Sequence, residues 1–331
     1  LANRKYTISM RSAGYLTPLK TGEVTIPGVD LDFVEVEPQI AAFRRMIRDT
    51  EFDICELAST TYFIARSLGK PFKALPVFFN RRFHHSSILV RPGSGIETPK
   101  DIEGKRFGVR AYSVTTGVWT RGVLQNEYGV DPDKVTWYYD DEDHVQELQL
   151  PDNVIKVPDG KSLVSMMAGG ELDIAMDGNA GIGRQGKPKA GWNDTSKPST
   201  DSYHELIPDA FEREKEWFNR TGIYPCHPTL VIKDEVAARD PELAGKLFRG
   251  LQEAKDLYLA RLRSGEATGK KDKELLKLTE IVGPDPLPYG LEENRPAIEA
   301  LMKYAVQQKL ISGPIPMEDL FFDLDSIRAT A

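Results

Sequence analysis

The chain is expected to be an α/β protein of two hinged lobes with a ligand cleft between them. Short apolar strands alternate with helical segments along most of the sequence, the pattern of mostly parallel sheets flanked by helices. A turn-rich break at Pro92–Gly95 is followed by a second run of the same alternation. A late apolar strand, Thr229–Ile232, can return to the first lobe, so that the lobes share two crossing segments, near 88–94 and 222–230. At 331 residues the chain is long for one core and comfortable for two. The expected division is 1–92 plus 225–331 for one lobe and 93–224 for the other.

The elements follow in order. Lys5–Met10 alternates polar and apolar residues, as a half-buried strand does. Gly22–Ile26 and Leu31–Val36 flank the turn Pro27-Gly28-Val29-Asp30 and read as a hairpin or strand pair. Ala41–Asp49 sets Phe43, Met46 and Ile47 on one helical face. Phe52–Leu57 is a short buried strand, after which Ser59 or Thr60 can cap a helix ending near Gly69. Ala74–Asn80 and Ser87–Val90 are strands. In the second lobe Arg106–Arg110, Val135–Tyr139, Ile155–Val157 and Leu172–Met176 are strands, and Thr116–Tyr128 and Ser162–Ala168 are helices that stop at glycines. Residues 183–203 are rich in Gly, Lys, Pro and Ser and read as a loop insertion. Helices are expected over Phe211–Thr221, Pro241–Leu262 and Arg295–Gln308, with an extended tail.

Composition narrows the function classes. Apolar residues make up 40% and charged residues 28%, as in ordinary globular proteins. A net charge of −7 argues against a nucleic-acid surface. No apolar run is long enough to span a membrane. Cys55 and Cys226 have no metal-type spacing and read as two buried thiols rather than a bridge. No metal or cofactor is expected, since P-loop, dinucleotide-binding, nucleophile-elbow and zinc motifs are missing. The start, LANRKYTISM, lacks a secretion signal's apolar core. The expected location is therefore cytoplasmic, or periplasmic if a signal has been removed. The helix at 241–262 and the C-terminal helix could cover a core or serve a homo-oligomer.

Four segments carry a family resemblance: VEVEPQIAAFRRMIRDTEFDICELASTTYFIA (34–65), RRFHHSSILV (81–90), GVRAYSVTTGVWTRGVLQNEYGV (108–130) and GIYPCHPTLVIKDEV (222–236). Together they resemble the 4,5-dihydroxyphthalate decarboxylase family, over most of the chain. That resemblance implies a type II periplasmic-binding-protein-like fold. It also implies a metal-independent carboxy-lyase acting on a hydroxylated phthalate-type acid in aromatic degradation, with a small aromatic carboxylate as its partner.

Decarboxylating a hydroxybenzoate requires a proton donor at the ring carbon, cations on the carboxylates and a group that shares the phenol proton. His85 and His227 fall at the expected lobe junctions and suit the proton roles, or tie down the hinge by hydrogen bonding. Arg11, Arg82 and Arg121 are candidate carboxylate clamps, or members of salt bridges. Arg121 lies near Trp119, which could line the same site. Glu56 closes a buried strand and could accept a phenolic hydrogen bond, orient a histidine or cap the Ser59–Thr61 backbone. Tyr112, Ser113, Thr115 and Thr116 precede or open a helix, where amides and hydroxyls make an anion site or simply cap it. Asp177 follows a strand and faces the cleft or starts a turn. A solute-binding protein feeding a small anion to an ABC transporter is the competing reading, because fold does not set function.

Overall fold

The computed structural model describes residues 3–183 and 202–324. The chain opens with β1 (Arg4–Ser9), the single turn α1 (Thr17–Lys20), β2 (Val29–Phe33), α2 (Gln39–Asp49), β3 (Ile54–Leu57), α3 (Ser59–Ser67) and β4 (Phe72–Phe78). It continues through β5 (Ile88–Val90), β6 (Arg106–Gly108), α4 (Thr115–Tyr128), β7 (Thr136–Tyr139) and β8 (Val154–Lys156). Next come α5 (Leu163–Ala168), β9 (Ile174–Met176), β10 (His204–Glu205) and α6 (Ala210–Thr221). The last part holds β11 (Thr229–Lys233), α7 (Asp234–Arg239), α8 (Leu243–Ser264), α9 (Lys270–Val282), α10 (Arg295–Gln307) and α11 (Met317–Leu320). Among the described residues no helix is long and apolar enough to cross a membrane. Two compact units result. Described residues up to 82, 226–298 and those from 315 onward form the first; those within 83–225 and 299–314 form the second.

The first unit is built on a five-stranded sheet of order β2-β1-β3-β11-β4. β1 runs parallel to β2 and β3, whereas β11 runs antiparallel to both β3 and β4. Every residue of β3 is buried, as befits a strand covered on both faces. Ile8, Ile54, Leu75, Leu230 and Ile232 join Leu243, Leu247 and Leu251 of α8 in one core. Each such fully buried side chain contributes about 1.5–3 kcal/mol. α8 comes close at Gly250, where a Cβ would stand 2.6 Å from Ile26 Cγ1. Cys55 and Cys226 are buried free thiols.

The second unit is built on a six-stranded sheet of order β10-β5-β9-β6-β7-β8. β9, β6, β7 and β8 are mutually parallel, and β5 runs antiparallel to β9 and β10. Leu163, Met166 and Met167 of α5 pack with Leu172 and Ala175. The first ten residues of α4 are buried, so no polar stripe marks this helix. Gly122 lets α10 approach it, since a Cβ there would meet Tyr304 Cδ2 at 2.0 Å. α4 ends on Gly129 at φ 66°, a left-handed cap that glycine adopts without strain.

Several expectations change. No hairpin forms at 22–36: β2 pairs with β1 in parallel, and Val24 and Ile26 are buried in the core with α8 instead of forming a strand. The segment 83–92 belongs to the second unit, because β5 pairs with β9 and β10, and residues 299–314 join it as well. α9 went unread because its lysine-rich run buries only Leu275 and Ile281. The expected loop at 183–203 falls almost wholly on 184–201, outside the described residues.

Candidate functional site

In open α/β sheets, ligands are met beyond the carboxyl ends of the parallel strands. In the first unit, Arg11 lies two residues past β1, Glu56 is the next-to-last residue of β3, and Arg82 follows β4. β11 is antiparallel, with Thr229 opposite Leu57 and Phe78. Its start therefore lies at the carboxyl ends of β3 and β4, and brings His227 to the same rim. The Ser59 hydroxyl donates to the His227 carbonyl, tying the start of α3 to this segment.

Arg11 and Glu56 form the firmest contact of this rim. Arg11 Nε donates to Glu56 Oε1 at 2.8 Å, Nη2 donates to the same oxygen, and the Arg11 amide donates to Oε2 at 2.9 Å. Glu56 is fully buried, whereas the Arg11 side chain keeps 26% of its surface exposed. Arg11 Nη1 has no hydrogen bond among the described residues, so one edge of the guanidinium is held and another is open. Burial opposes the charge on Arg11, but the facing carboxylate outweighs it and raises the pKa. Arg82 is exposed in part, yet the protein crowds its charged end. That desolvation, with the like charge of Arg11, lowers its pKa. Tyr15, which the sequence reading passed over, accepts a hydrogen bond from the Asn80 amide at 3.1 Å. Burial pushes its phenol up, and it feels both Arg11 and Glu56.

The second unit repeats the arrangement. Arg110 lies two residues past β6, and its Nε donates to Asp141 Oδ2 at 2.8 Å, two residues past β7. Arg110 Nη1 donates to Asn179 Oδ1 at 2.9 Å. The Ser113 amide donates to Asp143 Oδ1 at 2.9 Å, and its hydroxyl donates to the same oxygen. Burial lifts the Asp143 carboxyl above its usual range, although these two bonds pull it down. β5 is antiparallel to β9, with Ile88 opposite Met176, and the Asp177 amide donates to Ser87 O at 3.0 Å. His85, three residues before β5, thus reaches the carboxyl rim of this sheet. Its ring stands edge-on to Trp217 at 5.5 Å and to Tyr128 at 6.4 Å, and the residue is 2% exposed. Glu214 Oε1 accepts the His85 amide at 3.1 Å and lies 3.7 Å from His85 Nδ1.

Other candidates take different roles from those expected. Arg121 is buried as an internal brace: Nε donates to Gln308 Oε1 at 2.7 Å and Nη2 to the Tyr112 carbonyl, with the guanidinium 3.9 Å from the Tyr112 ring centre. It is not presented as a carboxylate clamp. Trp119 is fully buried edge-on to Tyr304 at 5.6 Å. The Glu56 carboxylate is bonded to Arg11 rather than to the Ser59–Thr61 backbone. Tyr112, Thr115 and Thr116 are buried about the start of α4, and the internal carboxylate of Asp143 already occupies the Ser113 donors. Asp177 is exposed and begins the turn Gly178–Ala180. Sequence reading missed Arg110, Asp141, Asp143 and Glu214. The acidic run Asp140–Asp143 after a strand was the available signal for two of them. Among the described residues no group of three His, Cys, Asp or Glu side chains could hold a metal ion.

Comparison with known proteins places this geometry in context. The chain is 30% identical over 334 residues to the 4,5-dihydroxyphthalate decarboxylase of Comamonas testosteroni, covering 97% of both chains. It is 36% identical over 215 residues to the enzyme of that name from Pseudomonas putida, covering 61% of this chain and 83% of the other. A profile of periplasmic phosphonate substrate-binding proteins of ABC transporters matches residues 28–150. The fold resembles the periplasmic aliphatic sulphonate binding protein of Escherichia coli, with a TM-score of 0.55, 11% identity, and coverage of 97% and 93%.

Proposed function

Because the chain belongs to the 4,5-dihydroxyphthalate decarboxylase family, we propose that it is a carboxy-lyase for a hydroxylated aromatic acid, with 4,5-dihydroxyphthalate or a close analogue as substrate. The observation that carries the reading is the first-unit rim. There an arginine held by a buried carboxylate keeps one edge open, and it shares the rim with a second arginine and a histidine. A planar guanidinium recognises a carboxylate through parallel hydrogen bonds. Arg11 and Arg82 hold the vicinal carboxylates, and Glu56 fixes Arg11 rather than exchanging protons.

In this substrate each hydroxyl lies para to a carboxylate. The phenol gives up its proton to water. Electron density moves to the para ring carbon, and protonated His227 donates its proton there. The resulting dienone breaks its bond to the carboxylate, whose carbon leaves as CO2, and the bonding pair restores the ring. Water returns the phenol proton and reprotonates His227. The sum is one carboxylate and one proton converted to a ring C–H and CO2. General acid–base help of this kind is worth roughly 10²- to 10⁴-fold.

The test is turnover. The protein is incubated with 4,5-dihydroxyphthalate and a panel of hydroxybenzoates while CO2 and the ring product are followed. His227→Gln is expected to lower kcat by roughly 100-fold or more with circular dichroism unchanged. Binding without turnover across the panel would return the chain to solute binding.

A further inference from the structure

We infer that Tyr15 is a further substrate-binding residue of the first unit: its hydroxyl donates a hydrogen bond to the carboxylate that Arg11 holds. The inference rests on the proposed reading of Arg11 as a carboxylate clamp. Tyr15 lies in the turn Gly14–Leu16, shortly after Arg11 in sequence. The turn is pressed against α8, because a Cβ at Gly14 would stand 2.5 Å from Tyr258 Cε2. The Tyr15 ring packs edge-on to Tyr258 at 5.9 Å and stacks on Phe79 at 6.4 Å. Both walls are themselves anchored. The Tyr258 hydroxyl donates to Asp272 Oδ1 at 2.6 Å, and the Phe79 amide donates to the carbonyl of Pro228, the residue after His227, at 2.8 Å.

These contacts carry the hydroxyl to the carboxyl end of β4. There it accepts the amide of Asn80, two residues past the strand, at 3.1 Å. Tyr15 is 9% exposed, and a hydroxyl so buried needs a donor for its oxygen and an acceptor for its hydrogen. Asn80 supplies the first. Among the described residues the hydrogen has no acceptor. The charges of Arg11 and Glu56 both act on the phenol, yet the two Glu56 oxygens bond Arg11 and neither accepts from Tyr15. The donor is left for an anion that Arg11 brings to this rim. Burial holds the phenol above its ordinary range, so it keeps its hydrogen at neutral pH. A hydroxyl donating to a carboxylate makes a short, charge-assisted bond, which complements the open edge of the guanidinium.

Phthalate is the probe, because it carries both carboxylates and no hydroxyl to start decarboxylation. Tyr15→Phe removes one oxygen and keeps the ring. Calorimetric titration should show its Kd for phthalate raised about tenfold, the size of one hydrogen bond to a charged group. The variant also strands the Asn80 amide, so a second background separates contact from support. In Arg82→Met, a Tyr15 that touches the ligand still costs about the same factor on Tyr15→Phe. A Tyr15 that acts only through Asn80 and the segment leading to Arg82 costs nothing more there, which overturns the inference. An unchanged Kd in Tyr15→Phe, beside a raised Kd in Arg11→Met, overturns the role of Tyr15 alone. An unchanged Kd in Arg11→Met overturns the clamp, and the inference with it. Should Tyr15→Phe fail to fold, crystals of the intact protein with phthalate decide. Tyr15 Oη within about 3 Å of a carboxylate oxygen bound to Arg11 is expected, and a carboxylate on Arg11 beyond hydrogen-bond reach of Tyr15 refutes the inference.

Discussion

Arg11→Met tests the pair at the centre of the first-unit rim. Glu56 is fully buried and takes two side-chain hydrogen bonds and one backbone bond from Arg11. The substitution removes the two charged bonds and leaves the carboxylate buried. Breaking such a pair costs about 3–5 kcal/mol, and the 26% exposure of Arg11 reduces this to about 2–4 kcal/mol through solvent screening. Glu56→Gln is milder, at about 1–2 kcal/mol, because the amide oxygen still accepts and the guanidinium can turn to water. The double variant should recover part of the loss, since it buries no lone charge. Urea unfolding followed by fluorescence is the assay. With a slope of about 2–3 kcal/mol per molar, Arg11→Met lowers the midpoint by about 1 M, and Glu56→Gln by about half that. An unchanged midpoint in Arg11→Met, or a larger loss in Glu56→Gln, would refute the reasoning.

Two further outcomes follow from the geometry. Arg121→Met strands the Gln308 amide oxygen and the Tyr112 carbonyl, so it should cost about 2–4 kcal/mol in urea while KM moves less than twofold. A large rise in KM at unchanged stability would restore the carboxylate-clamp reading. Burial pushes the Cys226 thiol up to about 11 from an ordinary 9.0. This contribution is intact below pH 9 and lost as pH rises through 11, because the unfolded thiol ionises first. Thiol titration of the native protein at pH 8 should detect neither Cys55 nor Cys226, and denaturant should release both; fast native labelling would contradict the burial.

Strand–helix alternation was legible because it rests on period and punctuation, which are local. The helix Thr115–Tyr128 was read within one residue, aided by Gly129. The hairpin at 22–36 failed because Val24 and Ile26 answer to α8, more than 200 residues away in sequence. Arg121 and Trp119 misled for a related reason. Their helix is buried along its first ten residues, so polar residues there satisfy neighbours inside the unit rather than a ligand. Composition cannot separate an arginine that braces a carbonyl from one that awaits a carboxylate.

What separates them is position relative to strand ends, and that needs the strand order. Arg11 and Arg110 each lie two residues beyond a strand flanked on both sides by parallel neighbours, and each is held by a carboxylate at a neighbouring strand's end. Arg121 lies well inside α4, six residues past its start. The histidines obey the same logic through antiparallel strands. A residue just before β5 or β11 reaches the carboxyl rim because those strands run backwards in their sheets. Spacing alone would put His85 and His227 at the amino ends of ordinary parallel strands, away from the chemistry. The reversal of β5 and β11, a property of topology rather than of local sequence, is what brings each histidine to the carboxyl rim of its own sheet.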